Sequence, residues 1–465
     1  MATTRIERDT MGEMEVPADA LYGASTARAV ANFPVSGETF PSPFLIALAM
    51  IKEEAAGVNR DLGLLDAEKA TAIRTAAGEV RQGRWDDQFV VDIFQTGSGT
   101  STNTNANEVI ATRASQLIGG DHAVHPNDHV NLGQSSNDVI PTTLQLAAAR
   151  EMTGALLPAL ATLGAQLSAK AKEFDDIVTI GRTHLQDATP LRLGQIFGGY
   201  ARQVALAAER IAAARDGLCE LPLGGTAVGT GINTHPEFAA KVIAKLAQAT
   251  ELPLREAENH FEAQGGRDAA VAASGALKST ATALFKIAND IRFLGSGPRC
   301  GLGELRLPAV QPGSSIMPGK VNPVMAESLL QVCAQVVGND AAITLGGLSG
   351  NFELNVMMPL IARNLLSSIR LLSCSVTLFA ERCIAGLEAD RERCAALVEQ
   401  SLAMVTALAP VLGYDQAAAL AKEAHASGKT IREVVQQRQL LPEGELAAIL
   451  DPWPMTEPGI PGRTR

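Results

Sequence analysis

The densest chemistry in this 465-residue chain lies in Gly313-Ser314-Ser315-Ile316-Met317-Pro318-Gly319-Lys320-Val321-Asn322-Pro323. Two hydroxyls, one ammonium and one carboxamide stand within ten residues. Glycines, serines and prolines interrupt every helix or strand period, so the stretch reads as a loop. Asn322-Pro323 predicts a helix start, because Asn caps well and Pro is tolerated at the first helical position. Met325, Leu329, Val332 and Val336 follow at helical spacing. A helix N-terminus carries unpaired N–H groups and partial positive charge, and Lys320 stands just before it. That combination suits a carboxylate ligand.

Four further stretches collect polar groups where the apolar period stops. Gln95 to Glu108 reads QTGSGTSTNTNANE, with glycines that let backbone approach a ligand and hydroxyls that donate to it. Gln134-Ser135-Ser136-Asn137-Asp138 is rich in capping residues, and a helix is expected from 142. Gly181 to Pro190 places His184 in a polar turn rather than on an apolar face. His122 to His129 holds three histidines and Asp128, types that also ligate metals.

The elements that must position these groups are mostly helices. The chain is 46% hydrophobic and only 4% aromatic, which favours helices packed through small residues. Residues 1–135 form a mixed, mostly helical segment, with short strands near Glu15 to Gly23 and helices near 43–61 and 66–82. Residues 136–392 form a central segment of long helices that includes the 313–323 loop. Its apolar rows are Leu156, Leu160, Leu163 and Leu167; Ile196, Tyr200, Val204, Ala207 and Ile211; Leu277, Thr280, Leu284, Ile287, Ile291 and Leu294; and Leu365, Ile369, Leu372, Val376 and Phe379. Spacings of three and four over such lengths predict a bundle. Some rows are long for one chain to cover, which points to self-association. Residues 393–465 form a small helical segment with a loose Pro/Gly tail running through Gly462 and Arg463.

The net charge of −11 and the absence of a basic cluster exclude a nucleic-acid footprint, so an anion-binding cleft must gather positive charge locally. The start lacks a signal-peptide core, and no run of about eighteen apolar residues appears, so no membrane span and a cytoplasmic location are expected. The six cysteines, none in a C-x-x-C pair, read as buried free thiols.

The 313–323 string resembles the GSSxMPxKxNP signature of the aspartase/fumarase lyase superfamily. The TGSGT and N-x-N-x-NE segment, Ser135-Ser136-Asn137, GRTHLQDA and HPND resemble class II fumarases in turn. The resemblance runs from about residue 5 to 450 and includes Gly224 to Gly231 and Ser349 to Val356. It implies a mainly α, three-domain fold whose central helix bundle forms a tetrameric core, with each site built from three chains. It implies reversible anti hydration of fumarate to (S)-malate in the tricarboxylic acid cycle, with no cofactor and no metal.

By resemblance, Ser314 is the carbon base, Lys320 stabilises the aci-carboxylate, and His184, paired with Glu327, handles the water. Ser98, Gly99, Thr100, Ser135, Ser136, Asn137, Thr183, Ser315, Val321 and Asn322 bind substrate. His125, Pro126, Asn127 and Asp128 form a second anion site. His129 stands where that family often has Asp, so binding there is either lost or more dependent on pH. The implied partners are a small dicarboxylate and three further copies of the chain. Aspartase on the same scaffold is the alternative: TGSGT favours hydration, whereas Asn322-Pro323-Val324 is closer to aspartases.

Overall fold

The computed structural model of the chain describes residues 3–120 and 122–461. The end of the expected tail, Gly462 and Arg463, lies outside them. The described residues are mostly helix, with five two-stranded ladders. Contacts divide the chain into two compact units. The first comprises 1–158, 207–282 and 332–374, and the second 159–206, 283–331 and 375–465.

In the first unit, strands Thr4–Asp9 and Gly12–Pro17 pair antiparallel, with Asp9 opposite Gly12 at the turn. The expected helices lie at Ser42–Asp61 and Ala67–Arg81. Asp66 caps the second by accepting from the backbone N–H groups of Glu68 and Lys69. Phe44, Leu45, Leu48, Ile51, Ala55 and Val58 form a buried face on the first helix. It packs against Ala67–Arg81 and Ser136–Glu151. Alanine on both sides allows close approach.

Long helices in this unit are stitched by polar contacts to the buried Asn339 and Asp340. Ser274 and Lys278 both donate to Asp340, at 2.7 and 2.6 Å. Asn339 donates to Ser368 at 3.0 Å.

In the second unit, strands Val178–Thr183 and Gln186–Arg192 form a hairpin. Ile180 from that hairpin joins a core with Val398, Leu408, Leu420, Val434 and Leu450. The C-terminal helices thus anchor the hairpin. Tyr200 donates to Asp290 at 2.9 Å, linking helices Leu193–Gly217 and Asp268–Leu294.

Two expectations are corrected here. Nearly every residue of the four apolar rows is buried within the single chain; Ile196 alone is half-buried, and Phe197 takes its place in the core. The rows therefore give no argument for self-association. Among the cysteines, Cys300 and Cys374 are exposed, and only the other four are buried. By length and composition alone, the helical run Ser136–Glu173 is apolar enough to cross a membrane, with mean hydropathy 1.2. Its leucines at 156, 160, 163 and 167 are buried in the fold.

Candidate active site

The candidates fall into two groups, one in each unit. In the first unit, Gly99 has φ +72°, which favours glycine, and an added Cβ would lie 2.8 Å from Ile140. This close approach seats the Ser98–Thr100 turn on the helix that begins at Ser136. Ser98 and Thr100 share a hydrogen bond of 2.7 Å. Asn103, one turn further along helix Thr100–Ile118, donates to Ser136 Oγ at 3.2 Å. The two sequence-distant loops therefore meet.

The expected helix start at 142 is corrected to Ser136, with Pro141 inside the helix. Ser135 caps it and accepts from Asn137 N at 3.3 Å, while Asp138 accepts from Ser135 N at 2.9 Å. The other Asp138 oxygen accepts from Gly224 N and Thr226 N. Burial pushes the fully buried Asp138 carboxyl up, and these N–H groups pull it back. Asn137 donates to Ala227 O at 2.8 Å. The expected glycine segment 224–231 thus scaffolds the Ser135–Asn137 turn.

Lys52 was not singled out by its sequence context, yet it lies beneath this turn. It is 0% exposed and donates to Asn131 Oδ1 at 2.8 Å and Gln134 Oε1 at 3.0 Å. Burial lowers its pKa to about 7, against the opposing charge of Asp138. The available signal was a lysine in register with Leu45, Leu48 and Ala55 on an apolar helix face.

In the same unit, His125 caps the turn Pro126–Val130 and accepts from Asn127 N and Asp128 N. The His125 backbone N–H donates to His129 Nδ1 at 2.8 Å, and His129 Nε2 lies 3.2 Å from Lys69 Nζ. Burial and Lys69 lower the His129 pKa. Among the described residues, no three His, Cys, Asp or Glu side chains converge as a metal site. A cavity of about 590 Å³ is lined in part by Arg5, Arg8, His122, His125 and Pro126.

In the second unit, His184 and Leu185 occupy the hairpin turn with φ +57° and +59°. This presents the imidazole to solvent at the end of the strand pair. Arg182 donates to the fully buried Glu304 at 2.7 Å, and Thr179 bonds its other oxygen. Both contacts fix the strand that ends in Thr183 and His184. Glu304 also precedes the strand Leu305–Arg306, which leads into the 313–323 loop.

The loop closes on itself. Gly313 N donates to Lys320 O at 2.8 Å, and Asn322 Nδ2 donates to Gly313 O at 2.6 Å. A Cβ at Gly313 would lie 2.5 Å from Lys320 O. Ser314 Oγ accepts from Ile316 N at 3.2 Å and Met317 N at 2.9 Å. Ser315, Lys320 and Val321 are exposed. The helix starts at Val324, one residue after the expected position, and the Asn322 side chain closes the loop. Its buried row is Ala326, Leu329, Cys333, Val336 and Ile343, so Met325 and Val332 are only half-buried. Glu327 and His184 make no hydrogen bond or ion pair to each other within the chain.

The arrangement is that of a helical lyase whose polar loops hang from long helices. The family described as Lyase matches residues 12–338, and Fumarase C C-terminus matches 404–457. A class II fumarate hydratase of Methylorubrum extorquens is 52% identical over 98% of this chain and 97% of its own length. Another, from Halobacterium salinarum, is 55% identical over 98% of both chains. The class II fumarase of Schistosoma mansoni superposes with a TM-score of 0.95 at 43% identity, covering 98% of this chain and all of that one. The chain belongs to the class II fumarate hydratase family.

Proposed function

We propose that the chain catalyses reversible hydration of fumarate to (S)-malate by anti addition of water, as the names of its relatives indicate for them. The structural observation that carries the reading is the Ser314 hydroxyl oxygen, which accepts two backbone N–H groups. Hydrogen bonds to an oxyanion favour the charged form, so this oxygen is prepared to act as a base. In the malate direction it takes the proton next to a carboxylate. Negative charge then builds on that carboxylate, where Lys320 and Asn322 stabilise it. Ser315, Thr183 and the backbone at Val321 orient the substrate. Ser98, Gly99, Thr100, Ser135, Ser136 and Asn137 hold a carboxylate. His184 gives a proton to the departing hydroxyl, which leaves as water, and Glu327 holds the imidazole in one tautomer.

His184 and Glu327 are not paired with each other among the described residues, which supports a site completed by other copies in a homotetramer. Exposed Val337, Leu345 and Leu348, on or just after helix Val324–Gly347, support such a contact. The three-segment organisation 1–135, 136–392 and 393–465, a cytoplasmic location and a second anion site at His125–Asp128 belong to the same reading.

Ultraviolet absorbance of fumarate tests it, with malate and aspartate supplied in parallel. Fumarate from malate alone is expected. Formation from aspartate alone would move the assignment to an ammonia-lyase. Light scattering tests the tetramer, and an active monomer would refute the shared site.

A further inference from the structure

Among the described residues, no carboxylate lies within ion-pair distance of the buried Lys52. Its Nζ instead meets two amide oxygens, Asn131 Oδ1 and Gln134 Oε1. As an ammonium the group has N–H donors and no acceptor, so both amides turn their oxygens toward it. Asn131 Nδ2 then faces away and donates to Gln134 O at 3.0 Å.

The same Asn131 oxygen accepts from Asn103 Nδ2 at 3.2 Å. A flipped Asn103 would set oxygen against oxygen there. Asn103 therefore keeps Nδ2 toward Asn131 and Ser136, although its own Oδ1 stays buried without a partner. Ser136 Oγ must accept from Asn103 Nδ2. Its own hydrogen is left to donate elsewhere.

We propose that Lys52 is a positioning residue for the substrate: through Asn131 and Asn103 it sets the direction of hydrogen bonding, so that Ser136 presents a donor hydroxyl to a dicarboxylate. The proposal rests on the reading of Ser136 as a substrate-binding residue. Unlike Lys52, a glutamine or a hydrophobe at this position leaves the direction of the chain free. Asp138, the acidic group acting on Lys52, is occupied by Ser135, Gly224 and Thr226 N–H groups and does not compete for the ammonium.

The test uses the full-length chain with Lys52→Met, Lys52→Arg and Asn103→Asp. Asn103→Asp keeps the shape and the lysine but can only accept, so Ser136 must spend its hydrogen on residue 103. Expected results are KM for malate raised about ten- to a hundredfold in Lys52→Met and Asn103→Asp, the span of one hydrogen bond to a charged group, with kcat within about threefold. Lys52→Arg, which still only donates, recovers most of the loss. Unchanged KM in Asn103→Asp overturns the proposal even where Lys52→Met does not fold, and so does a loss confined to kcat.

Calorimetric binding of succinate, an unreactive dicarboxylate, separates the two readings. A wild type that binds succinate but does not turn over refutes the fumarase reading, and the same affinity ratios still decide the role of Lys52. A wild type that binds no dicarboxylate overturns both.

Discussion

Arg182 donates to Glu304 at 2.7 Å, and the carboxylate is wholly buried while the guanidinium is 16% exposed. The contact ties the strand that delivers His184 to the segment that leads into the Ser314 loop. A buried pair of this kind is costly to break, because the surviving charge loses its partner. Glu304→Ala is expected to destabilise the fold by about 3 kcal/mol, with Glu304→Gln costing less because it still accepts from Thr179. Urea unfolding measures this. A loss within about 0.5 kcal/mol, the usual span of a surface substitution, would show that the hairpin is held by its hydrophobic anchor alone.

Ser314→Ala removes the oxygen that accepts from Ile316 N and Met317 N. Turnover should fall nearly to background with the secondary structure and the oligomer unchanged. Circular dichroism and light scattering supply the controls. Activity close to wild type would move the carbon base elsewhere.

His184 stands exposed at a hairpin tip with left-handed backbone at positions 184 and 185. Asn adopts that conformation readily, so His184→Asn changes chemistry and not the turn. Turnover is expected to fall by about 10²–10⁴. An equal rate would place activation of the water on another group.

Lys52 gives a pH signature in stability. Its folded pKa of about 7 lies below the ordinary 10.5 because burial disfavours the charge. Between these values the unfolded chain holds a proton that the folded chain has released. Stability therefore rises with pH across that window, by up to about 1.4 kcal/mol per pH unit, and below pH 7 the gain is absent. Lys52→Met lacks this term. Urea unfolding at pH 6 and pH 9 should show wild type gaining on the variant by about 3 kcal/mol at the higher pH. Parallel curves would mean that the lysine keeps its proton when buried.

The local chemistry was legible from the order of residues alone. Helices over 43–61 and 66–82 and the loop at 313–323 are set by neighbours within a few positions, whereas the other polar stretches are loops only in part: 100–108 opens helix Thr100–Ile118, 136–138 opens helix Ser136–Glu151, and 181–190 is a strand pair around a turn at 184–185. Spacing and side-chain type report such neighbours directly. Pro141 does not bound the helix, which starts at Ser136 and not at 142. In the fold it stands inside the helix, where it supplies no N–H to the carbonyl four residues back.

Long-range partners were not legible. Nothing near Lys52 announces Asn131 and Gln134, nothing near Arg182 announces Glu304, and nothing near Asp138 announces Gly224 and Thr226. Each pair is separated by dozens of residues and is chosen by burial, which strips water from a charge and forces it onto whatever polar group the packing supplies. Burial likewise decided that the apolar rows are covered within one chain and that Cys300 and Cys374 face solvent. The sequence by itself determined which groups could do chemistry and on which loops they stand. Only the tertiary structure decided which of them are oriented by buried partners, because a hydrogen bond's direction depends on what lies on its far side.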